Sequence, residues 1–178
     1  MKFTLDAHLD SGDGTVDATA FLARVDALRD QVSDISLHEG RLVLSFDGEE
    51  ALKEYSDPIV RLMDGWLRKL PWIIGGDTET VALRNSEQCF AFVPAGESVE
   101  ISFFTGSETE IEDYILEPTT VRLEAFVTES LKAADTLVAL VRGLDATLLH
   151  SNEDCKDLMT SLSEAQKAWH DYQLHARR

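Results

Sequence analysis

The densest set of reactive side chains in this sequence is Glu108, Glu110, Glu112 and Asp113. Paired carboxylates act as general acid and base when burial raises the pKa of one of them. Their neighbours, Ser107 and Thr109, offer no apolar enclosure. On a strand, alternate residues share a face, so the three glutamates would stand in a row. The pattern therefore points to a solvated edge or an interaction surface, and away from catalysis. Glu97, Glu100, Glu117 and Tyr114 complete the candidate partner-binding set.

Nucleophilic chemistry would have to come from Cys89 or Cys155. Cys89 lies in an apolar run, Cys89-Phe-Ala-Phe-Val93, and reads as a small core residue. His8, His38, His150, His170 and His175 include no pair at three- or four-residue spacing, so no helical zinc motif is present. No Gly-x-Ser-x-Gly elbow, phosphate loop or dinucleotide fingerprint occurs. No catalytic residue, metal or cofactor is expected. The competing reading is an enzyme of unrecognised class, its site assembled from scattered Cys, His and Glu, with Asn85-Ser-Glu87 and Cys89 as the starting point.

Asp10-Ser-Gly-Asp-Gly-Thr-Val-Asp17 resembles the calcium loop of EF-hand and dockerin-type proteins. Ser11, Asp13, Thr15 and Asp17 would supply oxygens. The first ligand position is Leu9, however, and the closing glutamate position is Ala20. Without those carboxylates little charge offsets cation dehydration. The segment is expected to be a turn from strand to helix, with Asp17 or a neighbour as the cap.

The chain has 33 acidic and 16 basic residues and a net charge of −17. No Lys or Arg occurs between Arg84 and Arg122, whereas the last sixty residues are nearly balanced. Such a surface disfavours direct contact with nucleic acid or an anionic membrane. It would steer a basic protein partner toward itself. Two unpaired cysteines, no signal-peptide core and no run of 18 apolar residues point to the cytoplasm.

The elements that must position these residues follow from periodicity. Residues 3–9 alternate as a strand, and Phe21, Leu22, Val25, Leu28 and Val32 have helical spacing. Residues 35–46 read as a hairpin turning at Glu39-Gly40. Asp57-Pro58 reads as a helix start, Asp57 accepting from free amides, and Pro71 as its stop. Strands are expected near 80–84, 89–93 and 99–104, the last two joined by Pro94-Ala-Gly-Glu97. Pro118 reads as the start of a helix ending at Gly143, and Ser151 as the cap of a last helix closed by Arg177 and Arg178. Trp66 and Trp169 are expected in the core; Trp72, after Pro71, reads as core ahead of the alternative of an exposed binding anchor. The sum is one α+β domain over 1–178: an antiparallel sheet of about five to six strands against helices, with two long C-terminal helices. Residues 144–178 are a possible helical appendage.

Residues 60–142 resemble small immunity proteins of bacterial toxin–immunity systems. The resemblance rests on Trp66-Leu-Arg-Lys-Leu-Pro-Trp, the Gly75-Gly-Asp turn, Phe90-Ala-Phe-Val, Val99-Glu-Ile-Ser-Phe-Phe and Val121-Arg-Leu-Glu-Ala-Phe. It implies a cytoplasmic, non-catalytic inhibitor that caps its cognate toxin. Toxins that cleave nucleic acids are often basic, and an acidic inhibitor can mimic phosphate charge. Phe103, Phe104 and Tyr114 are the nearest candidate aromatic anchors.

Overall fold

Alternation of Phe3, Leu5, Ala7 and Leu9 with polar residues buries one face of β1 (Phe3–Ser11). In the computed structural model, which describes residues 1–12 and 14–176, β1 turns back into β2 (Gly14–Asp17). The loop that resembles a calcium site is thus the tip of a hairpin, with Leu9 in the core; Asp13 lies outside the described residues. Asp17 caps α1 (Ala18–Ala23), its Oδ1 accepting the amides of Thr19 at 2.8 Å and Ala20 at 3.1 Å. The helix expected over 18–32 breaks at Arg24, whose amide closes back on Phe21 O and Leu22 O. α2 (Val25–Leu28) and a single 3-10 turn (Arg29–Gln31) follow.

β3 (Glu39–Phe46) pairs antiparallel with β1 along its length. The hairpin expected at Glu39-Gly40 is therefore absent. Glycine at position 40 serves strand contact instead, because a Cβ there would stand 2.2 Å from His8 O. β4 (Glu49–Glu50) and β5 (Asp57–Pro58) pair with the two ends of the other edge of β3 and complete a five-stranded sheet.

α3 (Ile59–Gly75) is not capped by Asp57, whose carboxylate points elsewhere, and Pro58 occupies the cap position without a side-chain bond. Pro71 does not stop it. Leu70 and Ile73 on either side are buried, so packing holds the helix across the missing amide until the left-handed Gly76 ends it.

The second sheet is an antiparallel meander of β6 (Glu79–Ala82), β7 (Gln88–Ala95), β8 (Ser98–Ser107) and β9 (Glu110–Arg122). Pro118 lies inside β9 and does not open a helix. β9 is an edge strand, where a missing amide breaks no ladder. α4 (Leu123–Leu144) starts only after Arg122. α5 (Leu148–Ser151) leads into α6 (Glu153–Ala176). The cap of α6 is Asn152, not Ser151: its Oδ1 accepts the Cys155 amide at 3.1 Å. The expected closure by Arg177 and Arg178 lies outside the described residues.

The architecture is α+β with antiparallel pairing and two long C-terminal helices. Its strands divide between two sheets instead of forming one. The inward faces of both sheets and the stripes of α3, α4 and α6 share one apolar cluster running from Phe3 to Ala165. Trp66 sits at its centre, edge-on to Phe92 at 4.7 Å and to Phe90 at 5.2 Å. Arg61–Asp154 at 2.9 Å, Arg68–Asp157 at 3.1 Å and Ser161–Asp64 at 2.6 Å hold α6 along α3. Trp169 is half-buried against the cluster, whereas Trp72, expected in the core, is 59% exposed.

Candidate interaction surface

The β8–β9 hairpin places the candidate acidic residues. Gly106, at φ 136°, turns the end of β8 where a Cβ would stand 2.1 Å from Glu110 O. Glu108 lies in the tight turn that follows, not on the strand. In β9 the register slips three times against β8. Asp113 faces Thr105 and Ile111 faces Gly106, leaving Glu112 unmatched. Tyr114 faces Phe104 and Leu116 faces Phe103, leaving Ile115 unmatched. Glu117 and Pro118 together oppose Ser102.

These bulges twist β9 and break strict alternation. The glutamates therefore do not form the single-face row expected from their spacing. Glu97, Glu108, Glu110, Glu112, Asp113 and Glu117 are exposed, and Glu100 and Tyr114 are half-buried. Charges, bulges and a proline are the usual protection of a sheet edge against uncontrolled pairing.

Edge protection does not explain Ile111 and Ile115, which are 48% and 46% exposed among the carboxylates. Ile115 lines an open groove with Leu52, Tyr55 and Phe103. Spacing does not single these two isoleucines out, because Tyr114 and Leu116 stand in the same stretch. Phe103 and Phe104 are 1% and 2% exposed, so neither is a surface anchor. Phe104 instead backs Tyr114, whose ring stands edge-on to it at 6.2 Å.

The candidates Asn85, Ser86, Cys89 and Cys155 do not converge on an activated group. The Cys89 thiol is raised in pKa by burial and by Glu108, and the Cys155 thiol is pushed up to about 11 by burial. Both changes suppress the nucleophilic thiolate. Asn85 donates to Glu39 at 2.6 Å, and Ser86 donates to Gln88 at 3.1 Å. Among the described residues, no group of three or more His, Cys, Asp or Glu is placed to hold a metal ion.

The cleft between α3, α6 and β6, of about 350 Å³, does gather charged groups. Five of them are committed to one another. Arg61 pairs with Asp154, and Arg68 pairs with Asp64 at 2.9 Å and Asp157 at 3.1 Å. The Arg68 guanidinium is pushed above its ordinary pKa by Asp64, the mark of a structural ion pair. No described helix is long and apolar enough to cross a membrane.

Compared with known proteins, the chain matches no family model, no curated protein and no solved structure.

Proposed function

We propose that this chain is a non-catalytic acidic interaction protein of the immunity type, which binds and neutralises a basic partner protein. The observation that carries the reading is the free β9 edge, where Ile111 and Ile115 stand exposed among Glu108, Glu110, Glu112, Asp113 and Glu117. Charge alone contributes chiefly to the rate of encounter, whereas desolvated apolar anchors hold the complex once formed. β9 offers both on one strand. The net charge of −17 supplies a field that favours a basic partner and repels nucleic acid. In this reading the protein works in the cytoplasm, where Cys89 and Cys155 stay reduced.

The test is co-expression with the product of the adjacent gene in the native host, followed by capture at low and high salt. A basic polypeptide should be retained, less strongly as salt rises. The reading fails if no basic protein is captured at any salt concentration.

A further inference from the structure

A second feature lies where the acidic segment meets the C-terminal helix. The β7–β8 turn at Glu97 docks on the start of α4 through Leu123 N–H donating to Glu97 O at 2.9 Å. Against this junction rests the last part of α6, leaving an open pocket of about 240 Å³. Trp169 and Tyr172, one helical turn apart, stack with ring centroids 5.2 Å apart and planes 12° apart. Both rings line the pocket, and Leu123, 3% exposed, lines it beside them. Glu97 and Glu124 supply carboxylates at the rim. Arg122 is the one cation among the described lining residues, and it reaches Glu124 at 3.5 Å with both side chains well exposed. An exposed pair of that kind is weak and easily exchanged.

We infer that this pocket receives an arginine or lysine side chain of a basic protein. The inference rests on the proposed function above and adds to it the chemistry of one anchor. Aromatic faces attract a cation through the ring quadrupole, and flanking carboxylates complete its neutralisation. The stem of a long basic side chain has the half-buried Trp169 and Tyr172 rings to cover it. Among its described lining residues the pocket has two carboxylates and one guanidinium, within a chain of net charge −17. The bound side chain would take the place that Arg122 holds beside Glu124. β9 runs from the exposed isoleucines to Arg122 at the pocket.

The experiment titrates the full ¹⁵N-labelled chain with tri-arginine amide at low salt and follows the Trp169 indole N–H. The inference predicts a saturating shift of that signal, with tri-glutamate giving none. Glu97→Gln, at an exposed position, should weaken binding about three- to tenfold while leaving the thermal midpoint unchanged. Arg122→Ala should tighten it by removing the competing cation. A Trp169 signal that stays still, or weaker binding in Arg122→Ala, overturns the inference. Either result leaves the proposed function standing if a basic partner is still captured through β9; loss of capture with an intact Trp169 response would fault the function instead.

Discussion

The hydroxyl of Tyr55 both accepts the N–H of Leu42, at 2.8 Å, and donates to the C=O of the same residue. One phenol thereby replaces a strand partner. β4 and β5 cover only the ends of the outer edge of β3, and Leu42 lies in the gap between them. The ring behind that hydroxyl packs on Phe90 at 5.8 Å and Phe103 at 5.2 Å. Tyr55 therefore joins the first sheet to the second, beneath the groove that Ile115 lines.

Tyr55→Phe should keep the packing and leave a buried donor and acceptor unpaired. The expected loss is about 2 kcal/mol, read from urea unfolding. Burial also pushes the Tyr55 hydroxyl far above its ordinary pKa of 10.0. The folded state favours the protonated phenol, so this stabilisation is complete below pH ~10 and is lost as pH rises beyond it. Wild-type stability should fall across that alkaline range more steeply than the stability of the variant.

Asp57 gives a second prediction. Its Oδ1 accepts the amides of Arg84 at 2.8 Å and Asn85 at 3.0 Å, tying the start of α3 to the β6–β7 loop. The residue is 1% exposed, and burial raises its carboxyl above the ordinary range. Asp57→Ala should cost about 2 kcal/mol through two orphaned amides. Asp57→Asn keeps an oxygen for both bonds without a buried charge and should cost under about 1 kcal/mol. Raised pKa also fixes a sign: the carboxyl favours folding when protonated, so the cost of Asp57→Asn relative to wild type should shrink as pH rises through the carboxyl range. Denaturant midpoints from pH 3 to pH 7 check this.

Much of the fold was legible because local pattern and burial agree. The alternation of Phe3 to Leu9 and the stripe Ile59, Leu62, Met63, Trp66 and Leu70 both face the core. Prolines misled where tertiary packing overrode local preference. Pro71 rides inside a helix held by Leu70 and Ile73, and Pro118 sits harmlessly on an edge. Asp57 has the residue type and position of a cap, yet it serves amides 27 and 28 residues away, a pairing that no spacing rule reveals. The acidic half of the candidate surface was readable from charge. Its apolar half was not, because the bulges that expose Ile111 and Ile115 depend on register against β8. Trp169 and Tyr172 fit a core stripe by spacing, and only their position near the end of α6 leaves them half-open.

The core itself offers a third prediction. The Trp66 indole N–H donates to Ser130 Oγ at 2.9 Å, and that hydroxyl donates to Phe126 O at 2.7 Å. Both residues are fully buried, so this relay satisfies the polar end of the largest core side chain. Ser130→Ala should cost about 1–3 kcal/mol, because the indole N–H loses its acceptor in a dry site. In the double variant with Trp66→Phe, most of that Ser130 penalty should vanish, which a double-mutant cycle measures directly.

On the surface, Ile111→Ser with Ile115→Ser should leave stability within about 1 kcal/mol of wild type, since both side chains are half-exposed. Binding should weaken by tenfold or more, roughly 1.4 kcal/mol, mainly through faster dissociation. Charge reversal of Glu110, Glu112 and Asp113 to Lys should act mainly on association, and its effect should shrink as salt rises.

The most direct test of the central claim is capture of the adjacent gene's product by wild type and by the Ile111→Ser, Ile115→Ser variant, compared side by side at low and high salt. A basic polypeptide should be held by wild type, held less at high salt, and largely lost from the folded variant. A partner held equally by both proteins, or no basic partner at any salt concentration, would contradict that claim.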